Sequence, residues 1–223
     1  MVVKKVLSIP FEAARKMGYL PINPAAAVDS LRDRGARWGR EPFTDAEMVR
    51  LLAAAQGDWH GTILLAATSG LRLGDAANLC WESIDLENRL IRVTTGKTGT
   101  VVVLPMHGDF ASWLLGQPRG IGRAPTFPQL AGKRISGDGG LSAQFRAILK
   151  TAGITGRVIR RTGKGRATNT KSFHGLRHTF ISRSANAGVP PDIRQKLVGH
   201  VDPRVHANYT HHEAEGAERG TPL

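Results

Sequence analysis

The chain has 223 residues, enough for one sizeable core with a short appendage, and no apolar run long enough to cross a membrane. Its single cysteine excludes an internal disulfide framework and a multi-cysteine metal site, which favours a reducing, cytoplasmic location. Lys and Arg total 31 against 18 Asp and Glu, a net charge of +13 that is typical of proteins binding a polyanion.

The positive charge is one-sided in residues 139–191. This stretch contains no Asp or Glu, but it contains ten Lys or Arg residues, which fall between Arg146 and Arg183. A solvated face usually mixes both signs of charge. The stretch therefore favours a nucleic acid as the partner over an anionic membrane surface or an acidic protein.

Residues 1–40 have the pattern of an appendage to a larger domain. Apolar residues recur at helical spacing over residues 6–17, and Gly18 offers a helix end. The prolines of residues 21–24 then break the chain, and residues 30–40 are charged and contain Gly, as a linker does. One helix cannot bury its own apolar face. We therefore expect this segment to be the last part of a domain whose remainder lies outside this sequence.

The remaining residues, 41–223, are expected to form one domain that begins with a helix. Thr44-Asp45-Ala46-Glu47 is a capping box, in which the Thr44 hydroxyl and the Glu47 carboxylate each accept a hydrogen bond from the other residue's backbone N–H. Apolar stripes, Gly stops and a Pro near a helix start predict further helices. They are expected at residues 59–68, 74–79, 108–115, 141–152, 174–187, 191–198 and 205–209.

A small sheet is predicted between these helices. Residues 84–86, 90–94 and 100–104 are short β-type runs, and Lys97 lies in the turn between the last two. The runs neighbour one another in sequence and do not alternate with helices, which argues against a Rossmann-type fold. The predicted fold class is therefore mainly α with a small three-stranded antiparallel β-sheet, and the basic, Gly-rich residues 155–171 are expected to form a loop or ribbon.

Two arginines, Arg72 and Arg177, could bind a phosphate together with His200. Arg72 follows Ser69-Gly70, and Arg177 follows His174 by three residues. In a phosphoryl transfer, negative charge spreads over the non-bridging oxygens, which two guanidinium groups can hold bidentately. His200 could donate a further hydrogen bond. Each residue alone has an ordinary surface or packing explanation, so the prediction depends on the whole set.

A tyrosine and two proton carriers complete that set. Tyr209 follows His200 by nine residues, and the only other tyrosine, Tyr19, lies in the linker region and is the weaker candidate. A phenol with a pKa near 10 needs a proton acceptor to act as a nucleophile, for which His174 is available. The departing 5′-oxygen needs a proton, which Lys97 could deliver from its turn.

The segments that carry these residues resemble the tyrosine recombinase (phage integrase) family. The strings HGLRHTF, LVGH and NYTH, at residues 174–180, 197–200 and 208–211, are specific in this order. The resemblance covers residues 40–210 and implies the integrase catalytic-domain fold for residues 41–223. It also implies that residues 1–40 are a remnant of an N-terminal core-binding domain, with its last helix and a linker.

The resemblance implies a site-specific recombinase or integrase that cleaves and rejoins DNA strands through a 3′-phosphotyrosine intermediate. Its catalytic set would be Arg72 and Arg177 on the scissile phosphate, Lys97 as general acid, His174 in proton transfer, His200 supporting the transition state and Tyr209 as nucleophile. No metal ion or other cofactor is implied. The implied partner is double-stranded DNA and not a membrane. The protein would be a monomer free in solution and a tetramer on synapsed DNA. It would be encoded by a bacterium or a phage and would be associated with the nucleoid in the cytoplasm.

Some features depart from the family pattern or allow another interpretation. Asp75 stands where the family more often has Glu, and it either orients Arg72 or faces the dipole of its helix. His178 is expected to pack or to cap a carbonyl, and His206, His211 and His212 have no Cys or carboxylate at a familiar ligand spacing. The alternative functions are type IB topoisomerase-like DNA relaxation, a DNA-binding module without catalysis, and RNA binding. RNA binding is disfavoured because the sequence has no clustered aromatic residues on which bases could stack.

Overall fold

The computed structural model describes residues 2–28, 40–159 and 168–198, and the chain divides into two compact units, Met1–Trp38 and Gly39–Leu223. The first unit contains helix α1 (Val2–Lys16), which is followed by Gly18 in a left-handed conformation with φ +80°. The predicted helix and its stop are confirmed, although the helix begins four residues earlier than its apolar spacing indicates. Several of its apolar side chains are exposed, among them Val6 and Ile9.

The second unit is mainly helical with a small sheet, as predicted. Its elements are α2 (Asp45–Ala54), α3 (Asp58–Ser69), α4 (Leu73–Ala77), a 3₁₀ turn (Trp81–Ser83), β1 (Ile84–Asp85), β2 (Leu90–Thr94), β3 (Val101–Pro105), α5 (Gly108–Leu115), α6 (Leu141–Thr151), β4 (Val158–Ile159), β5 (Thr168–Asn169), α7 (Phe173–Asn186) and α8 (Pro191–Leu197). The helix expected at residues 205–209 lies outside the described residues. None of the helices in the described ranges is long and apolar enough to span a bilayer.

Strands β1, β2 and β3 form the predicted antiparallel sheet in sequence order. Side chains alternate across it, so that Ile91 and Val93 of β2 and Val102 and Leu104 of β3 are buried while their neighbours face outward. Strands β4 and β5 form a second, two-stranded antiparallel pair. The ribbon predicted for residues 155–171 is therefore present at its two ends, and residues 160–167 are not described.

Helix α3 is the centre of the core. Ile63, Leu65 and Ala66 are fully enclosed, as expected for a helix that is apolar nearly all round. It packs against α7 on one side and α5 on the other. The approach of α5 needs a glycine in α3, because a Cβ at Gly61 would lie 2.4 Å from the Trp113 ring. This packing fixes the carboxyl end of α3, where the first motif arginine follows.

An aromatic cluster joins the beginning of the domain to α3, α6 and α7. The Phe145 ring meets Phe173 edge-on at 5.2 Å between centroids and Trp59 at 6.0 Å, and Phe43 closes the cluster at 6.5 Å from Phe145. Truncating a buried Phe such as Phe145 to Ala typically costs about 3–5 kcal/mol. Of the four tryptophans, Trp59 and Trp81 are buried, Trp113 is partly buried, and Trp38 lies outside the described residues.

Candidate active site

The turn after α3 positions Arg72. Gly70 ends the helix with φ +68°, and its N–H donates to the Ala66 carbonyl at 2.9 Å. The left-handed φ favours glycine, and the packing requires it, because a Cβ would lie 2.7 Å from the Phe180 ring and 2.9 Å from Val198. Only a glycine can therefore turn the chain here and set Arg72 at the N-cap of α4.

Arg177 joins three of the motif segments. It lies on α7 with only 2% of its surface exposed, and its Nη1 donates to the Gly70 carbonyl at 2.7 Å. Its Nη2 donates to the Val198 carbonyl at the end of α8. The guanidinium thereby ties the turn before Arg72 to α7 and to the residue that precedes Gly199-His200. The second predicted phosphate ligand is thus also part of the scaffold that holds the first.

Asp75 contacts both Arg72 and the turn between β2 and β3. Its Oδ2 lies 3.9 Å from Arg72 Nη1, and both atoms are buried without a hydrogen-bond partner in the described part of the chain. Its Oδ1 accepts a hydrogen bond of 2.9 Å from the Gly96 N–H. Asp75 therefore faces the active-site arginine, as one of the two interpretations proposed, and it also fastens the turn that carries Lys97.

The Lys97 turn is ordered by threonines. Thr95 is 2% exposed, its N–H donates to the Thr100 carbonyl at 2.9 Å, and its carbonyl accepts from Gly99 N–H at 2.8 Å. The Thr95 and Thr98 hydroxyl oxygens are 2.7 Å apart. Lys97 itself is exposed at the tip. The hydroxyl network holds the backbone of the turn and leaves the lysine side chain in solvent.

His174 lies in the first turn of α7, and its ring centroid is 5.2 Å from that of His178, which confirms that His178 packs there. Burial lowers the pKa of His174 from 6.5 to about 3, and the charges of His178, Arg40, Arg177 and Arg72 act in the same direction. The imidazole is therefore neutral at physiological pH. A negative charge that enters the site would raise the pKa of this histidine, which could then accept a proton.

The described residues include four of the six predicted site residues, and the structure brings these four into one region. Arg72 and Lys97 line the same cavity of about 730 Å³, and the positive charges of Arg72 and Arg177 both act on His174. His200 and Tyr209 lie outside the described residues, so their positions stay predictions. The arrangement can bind an anion between fixed cations, with a neutral imidazole beside it.

Arg40 is a further candidate site residue, which the sequence analysis did not single out. It donates to the Ser172 hydroxyl at 2.8 Å and, with His174, lines a second cavity of about 650 Å³. No motif marks it, and it lies 134 positions before His174 in the chain. For a metal, no group of three or more His, Cys, Asp or Glu side chains comes together within the described ranges. His206, His211 and His212 lie outside them.

Residues 42–215 match the model of the phage integrase family. The chain is similar to the integrase of Salmonella phage P22, with 24% identity over 212 residues that cover 89% of this chain and 50% of the relative. It is also similar to the tyrosine recombinase XerC of Roseiflexus sp. (strain RS-1), with 32% identity over 210 residues that cover 87% of this chain and 62% of the relative. The chain thus spans half to about three fifths of these relatives.

The fold is that of a solved integrase. The structure of the Tn1549 transposon integrase in complex with a circular intermediate DNA superposes with a TM-score of 0.63 at 22% identity, over 92% of this chain and 72% of the other. The mainly helical architecture with its small antiparallel sheet is therefore shared with that protein.

Proposed function

This chain belongs to the phage integrase family, and we propose that it is a site-specific DNA recombinase that cleaves and rejoins strands through a 3′-phosphotyrosine. The observation that carries the proposal is that Arg177 is hydrogen-bonded to the turn before Arg72, with the charges of both arginines acting on the partly buried, neutral His174. Asp75 holds the Lys97 turn against the helix that Arg72 begins. The resemblance of the sequence supplies the nucleophile, Tyr209.

The two arginines suit a phosphodiester. Arg72 Nη1 is buried without a hydrogen-bond partner among the described residues, and a non-bridging phosphate oxygen would supply one. Arg177 uses one N–H from each terminal nitrogen on backbone carbonyls, which holds its planar group in one orientation. Two oriented guanidinium groups stabilise the charge that builds up on the phosphate oxygens without reorganising during the reaction.

The proposed proton transfers use residues of the same site. The phosphate brings negative charge toward His174, which raises the pKa of the imidazole and lets it accept the Tyr209 proton. The phenolate oxygen forms a bond to phosphorus, and the bond from phosphorus to the 5′-oxygen breaks. Lys97 gives a proton to that oxygen, and His200 donates a hydrogen bond to the phosphate. Rejoining reverses each transfer, and the phosphotyrosine bond conserves the energy that religation needs.

We also propose the division of the chain at residue 40 and the assemblies that the family resemblance implies. Residues 1–40 would be the last helix and linker of a core-binding domain, which the separate Met1–Trp38 unit and the exposed apolar residues of α1 support. Residues 41–223 would be the catalytic domain. The partner would be double-stranded DNA, bound by a protein that is monomeric in solution and tetrameric on synapsed sites.

The nucleophile is tested with Tyr209→Phe on a nicked suicide substrate that traps the covalent intermediate. We expect the variant to form no protein–DNA adduct on a denaturing gel while it binds DNA within a few-fold of the wild type, because only one hydroxyl is removed. Tyr19→Phe is the matched control and should form the adduct normally. An adduct in Tyr209→Phe would move the nucleophile elsewhere, and no adduct in the wild type would favour a DNA-binding module without catalysis.

A further inference from the structure

Residues 40–43 run against the amino end of α7. The Glu41 N–H donates to the Thr170 carbonyl at 3.1 Å, and the Phe43 N–H donates to the Thr179 hydroxyl at 2.7 Å. These bonds join the beginning of the domain to residues more than a hundred positions later in the chain. The segment is therefore a fixed part of the wall beside His174.

Gly175 explains how the segment comes so close. A Cβ at this position would lie 2.8 Å from the Glu41 carbonyl oxygen and 2.9 Å from the Phe43 ring. The glycine that follows His174 thus allows Arg40 to reach the same region, where Arg40 donates to Ser172 at 2.8 Å. Among the arginines that lower the pKa of His174, Arg40 contributes more than Arg177 or Arg72.

The charge of Arg40 is not neutralised by its neighbours. Glu41 pairs with Arg157 at 3.3 Å, and Glu47 pairs with the buried Lys171 at 2.6 Å. These two carboxylates are thus each engaged by another cation. Within the part of the chain that the structure describes, the hydrogen-bond partner of Arg40 is the neutral Ser172 hydroxyl, and no carboxylate pairs with it. An exposed guanidinium in this state can bind an anion without first breaking an ion pair.

The space in front of Arg40 can hold part of a DNA strand. Its cavity of about 650 Å³ is lined by Arg40, Arg146 and His174 and by a single acid, Asp138. Leu73 and Ile135 line both this cavity and the one that contains Arg72 and Lys97. The two cavities therefore adjoin at these two residues.

We propose that Arg40 is a third phosphate-binding arginine, which binds the DNA phosphodiester next to the scissile one in the cavity beside His174. The assignment rests on the proposed function, since it needs the scissile phosphate to lie between Arg72 and Arg177. It adds a ligand that the family motif does not contain. The backbone of residues 40–43 and the close approach at Gly175 hold this ligand in place, so it is preorganised for the strand.

The test combines Arg40→Gln with a substrate series in which each phosphate flanking the cleavage site is replaced, one at a time, by an uncharged methylphosphonate. Wild-type protein should lose about ten-fold in affinity at the adjacent position, as expected for one hydrogen bond to a charged group. Arg40→Gln should bind the unmodified duplex about ten-fold more weakly than the wild type. Replacing the adjacent phosphate should then weaken its binding little further, because the contact between that phosphate and residue 40 is already lost and the two changes are not additive. At the other positions the two proteins should lose equally.

Arg50→Gln is the matched control, since Arg50 is exposed on α2 and lines neither cavity. A readout without DNA is the NMR titration of His174, whose pKa should rise in Arg40→Gln and stay unchanged in Arg50→Gln. The inference is overturned if Arg40→Gln loses the same factor at every flanking position, or if it binds the unmodified duplex like the wild type. Adduct formation by the wild type tests the proposed function separately, so either can fail alone.

Discussion

At the scale of single residues, the proposed chemistry uses a histidine that its surroundings keep neutral. His174 has an ordinary pKa of 6.5 when unfolded and a pKa of about 3 in the folded chain. Between these values the unfolded state binds a proton that the folded state does not. His174 therefore costs no stability above about pH 6.5, and the free energy of unfolding falls as the pH drops from there towards 3.

This linkage predicts a pH-dependent penalty that His174→Gln removes. Wild-type protein should lose on the order of 2 kcal/mol of unfolding free energy between pH 7 and pH 5 through this group, because each pKa unit corresponds to about 1.4 kcal/mol. The Gln side chain does not titrate, so the drop in unfolding free energy between the two pH values should be smaller in the variant by that amount. Urea melts at pH 7 and pH 5 measure both drops. His107→Gln is the control for removing an exposed imidazole, and equal losses in wild type and His174→Gln would contradict the assigned environment.

At the scale of elements, the turn between β2 and β3 decides how far Lys97 can reach. The buried Thr95 holds both ends of the turn, and Asp75 fastens its middle to α4 through Gly96. A general acid works only within hydrogen-bond reach of the atom that it protonates. Thr95 is thus a positioning residue for Lys97 under the proposed mechanism.

Thr95→Val should slow single-turnover cleavage about 10- to 100-fold, because a misplacement of about 1 Å is enough for such a loss. Lys97→Ala is the reference and should slow cleavage by about 10² to 10⁴. Both defects should largely disappear on a substrate with sulfur in place of the 5′-bridging oxygen, since a thiolate leaves without a proton. Val103 lies on the exposed side of β3 and lines neither cavity, so the isosteric Val103→Thr is the control and should cleave both substrates normally.

The sulfur substrate also separates the possible failures. If Thr95→Val stays slow on sulfur while Lys97→Ala is rescued, Thr95 acts on the fold and not on the acid. If neither variant is rescued, Lys97 is a phosphate contact.

The elements show what the sequence could and could not predict. The capping box of Thr44 and Glu47 and the bounds of α5 follow from local signals, and both are confirmed. For residues 155–171 the sequence could not distinguish a loop from a ribbon, because strands β4 and β5 have two residues each, too few for a periodic pattern. The same limit applies to the site. Motif strings indicated Arg72 and His174, whereas the contact of Asp75 with Gly96 joins residues 21 positions apart that no local pattern connects.

At the scale of the whole molecule, the acid-free stretch presents its charge on a folded surface. Helix α6 buries Leu141, Phe145 and Leu149 against the core, and its exposed side carries Arg146 and Lys150, one turn apart. Arg146 also lines the cavity beside His174. The positive charge that the sequence concentrates in residues 139–191 thus reaches the rim of the candidate active site.

This placement predicts that α6 contributes to the salt dependence of DNA binding. If about six phosphates are neutralised, affinity should fall roughly a thousand-fold between 50 and 200 mM salt. The double variant Arg146→Gln, Lys150→Gln should bind more weakly at low salt and reduce the slope of log affinity against log salt by about 1.8, which is about 0.9 for each phosphate contact. Its matched control is Arg50→Gln, Arg119→Gln, which removes the same charge from exposed positions outside the acid-free stretch. Both pairs lower the net charge equally, so a general effect of charge would reduce the two slopes alike, and that result would exclude α6 as a local contact with the DNA backbone.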